Sequence, residues 1–390
     1  MTPVFSRLDA LPLLPDEERQ LLDSVKALAR EEIAPRAAEY DRTAEFPWDN
    51  IRAINALGLN AMFVPEAYGG AALSYAAYLA CVRAISEACA STGIIWATNF
   101  HATKPLIDFG TEEQKKRLLP RVAEGAIAAL CITEPAAGSD ATHMTTRFTP
   151  DGDQIVVSGG KTFISNGDVA DLYLVFGKWT ELGDGRSAIS ALYLEKGTPG
   201  FAVLRTEDKM GHRAASTAAI AFDDCRVPRG NLLGKPGEGL ALLLAALNKS
   251  RPSVAAHALG IARAAFDDAV GYINERRQSG RRIVEFQGIQ FLIADLATEL
   301  ALCEAWLWHV ARLVDAGESD IAIEASMLKL RASDLAMRLA TEAVQLHGGY
   351  GYIKEYRVER LLRDAKITQI WEGTNQIHRQ LIGRSFIAKP

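Results

Sequence analysis

The sequence carries few of the features that commit a chain to a special environment. Its 390 residues include five cysteines, at 81, 89, 131, 225 and 303, and seven scattered histidines, none at metal-like spacing. Neither a disulfide scaffold nor a zinc site fits that pattern, and a reduced, cytoplasmic setting is expected. Apolar runs such as Gly239 to Leu247 are far too short to cross a bilayer, so no integral membrane segment is expected. The first helical stretch, Glu17 to Ile33, is charged throughout and lacks the apolar centre of a secretory leader. Net charge is only −5, and no lysine or arginine run exceeds a few residues. The concentrated basic face that phosphate backbones require is absent, so nucleic acid is not an expected partner.

What the chain does have is ordinary globular material, 48% hydrophobic with a mean hydropathy of +0.01. That length holds more than one packed core, and two or three domains are expected. Residues 1–125 read as helices: Leu21, Val25 and Leu28 repeat at helical spacing, and Pro35 marks a stop or bend. Thr111-Glu112-Glu113-Gln114 has the form of a capped helix start. Over 126–237 the pattern changes to short strand-like runs at Ile155–Val157, Leu172–Phe176, Ala188–Leu194 and Ala218–Phe222. Turn signals separate them without intervening helices, which predicts an antiparallel β-barrel or sandwich. From 238 to 390 the chain is helical again. Leu328, Ala332, Leu335, Leu339, Ala343 and Leu346 share one helix face, ended by Gly348-Gly349. Such helices with short connections predict a bundle.

Four segments carry candidate chemistry. Cys131 to Asp140 is a loop of small and hydroxyl residues that can cradle a phosphate or the edge of a planar ring; it is equally a tight connection between domains. Lys161 to Gly167 alternates an aromatic, an apolar residue and a hydroxyl, suited to stacking on a ring. It also reads as a strand ending in an Asn-Gly turn. Gln345 to Tyr352 places three glycines in four residues, allowing close backbone approach to a ligand or a simple helix cap. In Trp371-Glu372-Gly373-Thr374, the glutamate is either a cap for the following helix or a shielded carboxylate fit to act as a base. No glycine-rich loop follows a strand and opens a helix, so a nicotinamide-binding Rossmann domain is disfavoured.

Together, in this order and at these separations, the segments resemble the acyl-CoA dehydrogenase family, in particular its short- and medium-chain type. The Thr-Glu-Pro loop ending in Gly138-Ser139-Asp140 matches one family signature, with His143 departing from it. Gln345 through Gly348, Gly349, Gly351, Tyr352, Glu355, Arg360 and Asp364 matches the other, and Asn248 to Pro252, Glu275 to Gln278 and Phe286-Gln287 extend the likeness along the chain. The resemblance implies an N-terminal all-α domain, a central antiparallel β domain and a C-terminal four-helix bundle, assembled as a homotetramer, a dimer of dimers. It also implies non-covalently bound FAD. Leu130, Cys131, Ile132, Thr133, Gly138 and Ser139 would line the flavin, with Phe163, Ile164 and Ser165 beside it. Arg276, Gln278, Phe286, Gln287 and the loop Gln345, Leu346, His347, Gly348, Gly349 would hold its pyrophosphate and adenosine across a subunit boundary, joined by Thr374, Asn375 and Gln376. Ser139, Asn248, Ser250, Arg251 and Gly373 would contact the acyl-CoA. Ser279 and Asn248 depart from the residues usual there.

The reaction implied is α,β-dehydrogenation of an acyl-CoA in fatty acid metabolism. Glu372 would remove the α-proton as the β-hydrogen leaves as hydride, and a backbone N–H at Glu372 would help stabilise the enolate oxygen. An electron-transferring flavoprotein would collect the electrons. An oxidase on the same fold remains an alternative, as does a non-catalytic scaffold. Relatives of desulfinase type lack this glutamate. Trp96, Asn99 and Phe100 lie on the helix that lines the acyl pocket in relatives, and their bulk points to a short, branched or cyclic acyl group.

Overall fold

A computed structural model describes residues 3–387. The N-terminal helices are α1 (Pro3–Asp9), α2 (Asp16–Leu28), α3 (Ala34–Thr43), α4 (Trp48–Ala56), α5 (Tyr75–Ala88), α6 (Ala90–Phe109) and α7 (Glu112–Ala123). Between α2 and α3 a π-helical turn, Ala29–Ile33, keeps the chain helical up to Pro35, which falls in the first turn of α3, where a proline is tolerated, and does not stop the helix. The expected capping box at Thr111 is present, with both of its reciprocal bonds. Gln114 then donates to the carbonyls of Gly230 and Leu232 at 2.8 and 2.7 Å, fastening α7 to the strand region.

The strands are β1 (Ala128–Cys131), β2 (Arg147–Asp151), β3 (Gln154–Ser165), β4 (Leu172–Trp179), β5 (Ile189–Glu195), β6 (Phe201–Thr206), β7 (Thr217–Pro228) and β8 (Leu232–Leu233). They form one eight-stranded sheet in the order β6-β7-β3-β2-β4-β5-β8, with β1 added on β4. Most pairings are antiparallel, as expected, but β1 and β2 each run parallel to β4. The apolar run of β4 shows why it reads as continuous rather than alternating. Tyr173 and Val175 enter one hydrophobic cluster and Leu172, Leu174 and Phe176 another, so both faces of the strand are buried.

The C-terminal helices are α8 (Gly239–Glu275), α9 (Gln287–Asp315), α10 (Ala322–His347), α11 (Val358–Ile367) and α12 (Asn375–Ser385); the hairpin β9–β10 (Arg277–Gln278, Arg281–Arg282) separates α8 from α9. Helix α8 is enclosed by α5, α6 and α10, which explains its unbroken burial from Ser250 to Phe266. Gly260 permits the crossing with α5, since a Cβ there would sit 2.5 Å from the Arg83 carbonyl oxygen. Helix α10 ends at Gly348, whose φ of 60° terminates it as the sequence predicts. Among the described residues no helix is long and apolar enough to cross a membrane.

Candidate active site

The turn between α11 and α12 places Glu372. Trp371 N–H donates to the Ile367 carbonyl at 3.1 Å, and Asn375 N–H returns to the Gln369 carbonyl at 3.0 Å, closing the loop on itself. Glu372 and Gly373 both adopt left-handed backbone, with φ of 52° and 93°. A glutamate rests there only when its surroundings over-determine it. Thr374, not Glu372, caps α12: its hydroxyl oxygen accepts from Ile377 N–H at 3.4 Å. The carboxylate is thereby free of the capping role. It accepts instead from Ser250 Oγ on α8, 2.6 Å from Oε2.

Two cations and an imidazole surround this turn. Lys329 Nζ, on α10, donates to the Gly373 carbonyl at 2.6 Å and to Asn375 Oδ1 at 3.1 Å. His378 Nε2 lies 3.2 Å from the Glu372 carbonyl, which can only accept, so Nε2 carries the proton. Burial, reinforced by Lys329 and Arg251, holds His378 down at about 3, and the ring is neutral. Arg251 is 5% exposed; burial lowers its pKa while the Glu372 carboxylate raises it. Arg251 Nε, Trp371 Nε1 and His378 Nδ1 are buried without a hydrogen-bond partner among the described residues. Asn375, expected at the cofactor, is turned inward: its side chain is 3% exposed and bonds to Lys329, Ser333 and Asp334.

A second group of predicted residues gathers at the end of β1. Thr162 N–H donates to the Thr133 carbonyl at 2.9 Å, joining the Thr-Glu-Pro loop to the Phe163 segment. Beneath it, Lys161 Nζ donates to the Ile132 carbonyl at 3.0 Å and to Glu134 Oε1 at 2.7 Å. Burial pushes the Glu134 carboxyl up, but Lys161 together with Thr145 and Thr146 outweighs it and holds the group at about 2. Above this buried pair Phe163 stands 64% exposed with φ of 57°, a bulky aromatic presented outward on strained backbone. Leu130, Ile132, Thr133 and Ser165 are partly exposed and Gly138 and Ser139 exposed, whereas the side chains of Cys131 and Ile164 lie in the core.

A third group lies at the other end of α8. Arg276 sits over the Tyr350 ring at 5.4 Å, and His347 stacks on Tyr272 at 4.2 Å. Gln345, Gly348 and Gly349 are exposed there, and Leu346 is buried. Gln278 and Gln287 are exposed, Phe286 partly so, with Arg281 over the Phe286 ring at 3.9 Å. Among the described residues no hydrogen bond joins this group to Glu372 or Phe163. Asn248 is partly exposed, two residues before Ser250, and Gln376 is exposed on α12.

Sequence reasoning did not single out Lys329 or His378, nor a role for the Glu134–Lys161 pair. The available signal was Ser326, Lys329 and Ser333, polar residues at helical spacing beside the apolar face of α10; all three prove buried.

A carboxylate held by a hydroxyl and flanked by cations can take a proton from a carbon acid. The chain belongs to the acyl-CoA dehydrogenase family: models of the family's N-terminal, middle and C-terminal domains match residues 15–126, 129–225 and 237–387. An acyl-CoA dehydrogenase of Bacillus subtilis (strain 168) is 43% identical over 370 residues, 94% of this chain and 97% of that one. Among solved structures, butyryl-CoA dehydrogenase from Megasphaera elsdenii matches with a TM-score of 0.93 at 36% identity, covering 96% of this chain and 99% of the other. A chain solved in work on the electron transferring flavoprotein of Acidaminococcus fermentans and flavin-based electron bifurcation matches equally, with a TM-score of 0.93, 41% identity and coverage of 96% and 99%.

Proposed function

We propose that this chain dehydrogenates an acyl-CoA thioester to the trans-2-enoyl-CoA, with Glu372 as the base that removes the α-proton. The observation that carries this reading is the Ser250–Glu372 bond at 2.6 Å, in a turn whose helix is already capped by Thr374. Ser250 holds the carboxylate toward α8, and Arg251 and Lys329 supply positive charge on the protein side. The Glu372 backbone N–H is the proposed donor to the enolate oxygen as the proton leaves.

FAD is the proposed cofactor, and bound flavin would supply the hydride acceptor. Phe163, exposed on left-handed backbone, fits a stacking role toward its ring. Thr133 and Ser165 would hydrogen-bond its edges. Arg276 and the exposed loop Gln345 to Gly349 would hold its pyrophosphate half in a neighbouring subunit. That assignment requires an assembly, proposed to be a tetramer of two dimers. Divisions at 125/126 and 237/238 are the proposed domain boundaries, and an electron-transferring flavoprotein is the proposed acceptor.

A short acyl group is the proposed substrate. Tyr75, Tyr78 and Phe100 pack within 4.2 to 5.8 Å of one another, with Phe63 and Trp96 against them. The Tyr75 hydroxyl donates to the Lys249 carbonyl, next to Ser250. This aromatic bulk beside Ser250 is what supports a short acyl group over a long one. Anaerobic titration of the purified yellow protein with butyryl-, hexanoyl- and octanoyl-CoA tests this directly. Bleaching of the flavin strongest with butyryl-CoA is expected. A protein that takes up no FAD, or one bleached by none of the three, contradicts the reading; repeating turnover in air separates dehydrogenase from oxidase.

A further inference from the structure

One buried cation touches the catalytic turn through its backbone, at the Gly373 carbonyl, and not through the Glu372 carboxylate. Lys329 is 1% exposed, in the N-terminal third of α10. Ser326, Lys329 and Ser333 lie three and four residues apart on one helix face, at 0, 1 and 1% exposure. Burying an ammonium is costly unless its donors are satisfied. Here Nζ gives one to the Gly373 carbonyl at 2.6 Å and one to Asn375 Oδ1 at 3.1 Å. Asn375 is fixed in turn, donating to Ser333 Oγ at 2.9 Å and Asp334 Oδ1 at 2.7 Å. His378 donates to the neighbouring carbonyl, that of Glu372. Two consecutive carbonyls of a left-handed turn are therefore gripped from two different helices, and the residue between α11 and α12 that needs this grip is a glutamate with φ of 52°.

We propose that Lys329 is a positioning residue, whose ammonium holds the Glu372–Gly373 turn in its left-handed form and so aims the catalytic carboxylate. The assignment rests on the dehydrogenase reading only for what Glu372 does; the grip on the turn stands apart from it. The charged and titratable groups facing Lys329 are Glu372 on the turn, Arg251 on α8, Asp334 on α10 and His378 on α12. Burial draws the ammonium down to about 7, with Glu372 and Asp334 raising it and Arg251 lowering it. As pH rises through that value the charge-assisted bond to Gly373 becomes a weaker neutral one. The turn should then loosen.

The test is hydrogen exchange by mass spectrometry on the holoenzyme, read in peptides spanning 370–376, for the parent, Lys329→Met and Lys329→Arg. Exchange in that segment should accelerate about tenfold or more in Lys329→Met, as loss of a charge-assisted bond predicts, with α10 and the rest of α12 unchanged. After correction for intrinsic rates, the parent should loosen there between about one unit below and one unit above pH 7, and Lys329→Arg should not. If the methionine variant does not fold, Lys329→Gln, which keeps a neutral donor, should show an intermediate acceleration. In stopped-flow, Lys329→Met should cut the rate constant of flavin reduction about tenfold, while acyl-CoA binding stays within about threefold of the parent. Unchanged protection of 370–376 overturns the proposal, as does loosening spread evenly over α10 and α12. A parent that no acyl-CoA reduces counts against the dehydrogenase reading instead, and the exchange result still decides the role of Lys329.

Discussion

Ser250 and Glu372 are 122 residues apart in the chain and 2.6 Å apart in the fold. One hydroxyl on a buried helix therefore decides where the carboxylate rests before substrate arrives. Because Ser250 Oγ donates to an anion, the bond belongs to the stronger class of hydrogen bonds, contributing about 1.5–3 kcal/mol. Ser250→Ala should lower the rate constant of flavin reduction by about tenfold, equal to about 1.4 kcal/mol, with little change in KM; Ser250→Thr should restore most of it. A loss confined to KM would instead make Ser250 a binding residue only. Lys329 and His378 act one step further out, on the carbonyls of Gly373 and Glu372, and Asn375 acts on that backbone through Lys329.

At the scale of elements, the strand β3 and the loop after β1 are joined by the Glu134–Lys161 pair. Both side chains are buried, at 3% and 0% exposure, and Glu134 also accepts from the backbone and hydroxyl of Thr145 and from Thr146 N–H. Lys161→Met leaves that carboxylate buried without its cation and should destabilise the protein by about 3–5 kcal/mol, measured by chemical denaturation. The pH dependence has a defined sign. Glu134 is held at about 2, below its ordinary 4.5, so its contribution is fully present above 4.5 and is lost as pH falls through about 2. The parent should lose stability across that window, and Lys161→Met should lose less of it; equal losses would show that the pair does not set the acid limb.

The same elements show what could be read in advance. The Thr111 capping box, the Gly348 helix end and the strand runs of β3, β4, β5 and β7 are local signals, and the fold uses each of them. The parallel pairing of β1 and β2 with β4 has no local signal, because it depends on which distant segment reaches the sheet. Glu372, Ser250 and Arg251 were singled out because they fall in segments that resemble a family, and the structure brings the three together. Lys329 was not, since a lysine beside an apolar helix stripe looks like a solvated neighbour until α8 and the 371–375 turn cover it. Asn375 shows the opposite case: its place in the motif suggested a ligand, and no local signal told that its amide would bond to Ser333 and Asp334.

At the scale of the whole molecule, several large apolar side chains of the C-terminal region remain uncovered in the single chain. Phe291 and Leu302 on α9 are 62% and 66% exposed, and Tyr352 is 86% exposed. The proposed assembly would cover side chains of this kind. It lies in the same third of the sequence as Arg276 and Gln345, the residues proposed to reach a neighbour's cofactor. Sedimentation should give a tetramer of 42.4 kDa chains. Leu302→Asp should shift it toward smaller species with loss of bound flavin. A monomer that keeps its flavin fully would contradict the shared cofactor site.

The central claim, that Glu372 takes the α-proton, is tested most directly by anaerobic stopped-flow reduction of the bound flavin with butyryl-CoA and with its α-deuterated form. The parent should be reduced with a primary isotope effect at the α-position, and Glu372→Gln, with flavin content unchanged, should be slower by about 10²–10⁴-fold, the range for loss of a general base. A glutamine variant reduced within about threefold of the parent rate would contradict the assignment.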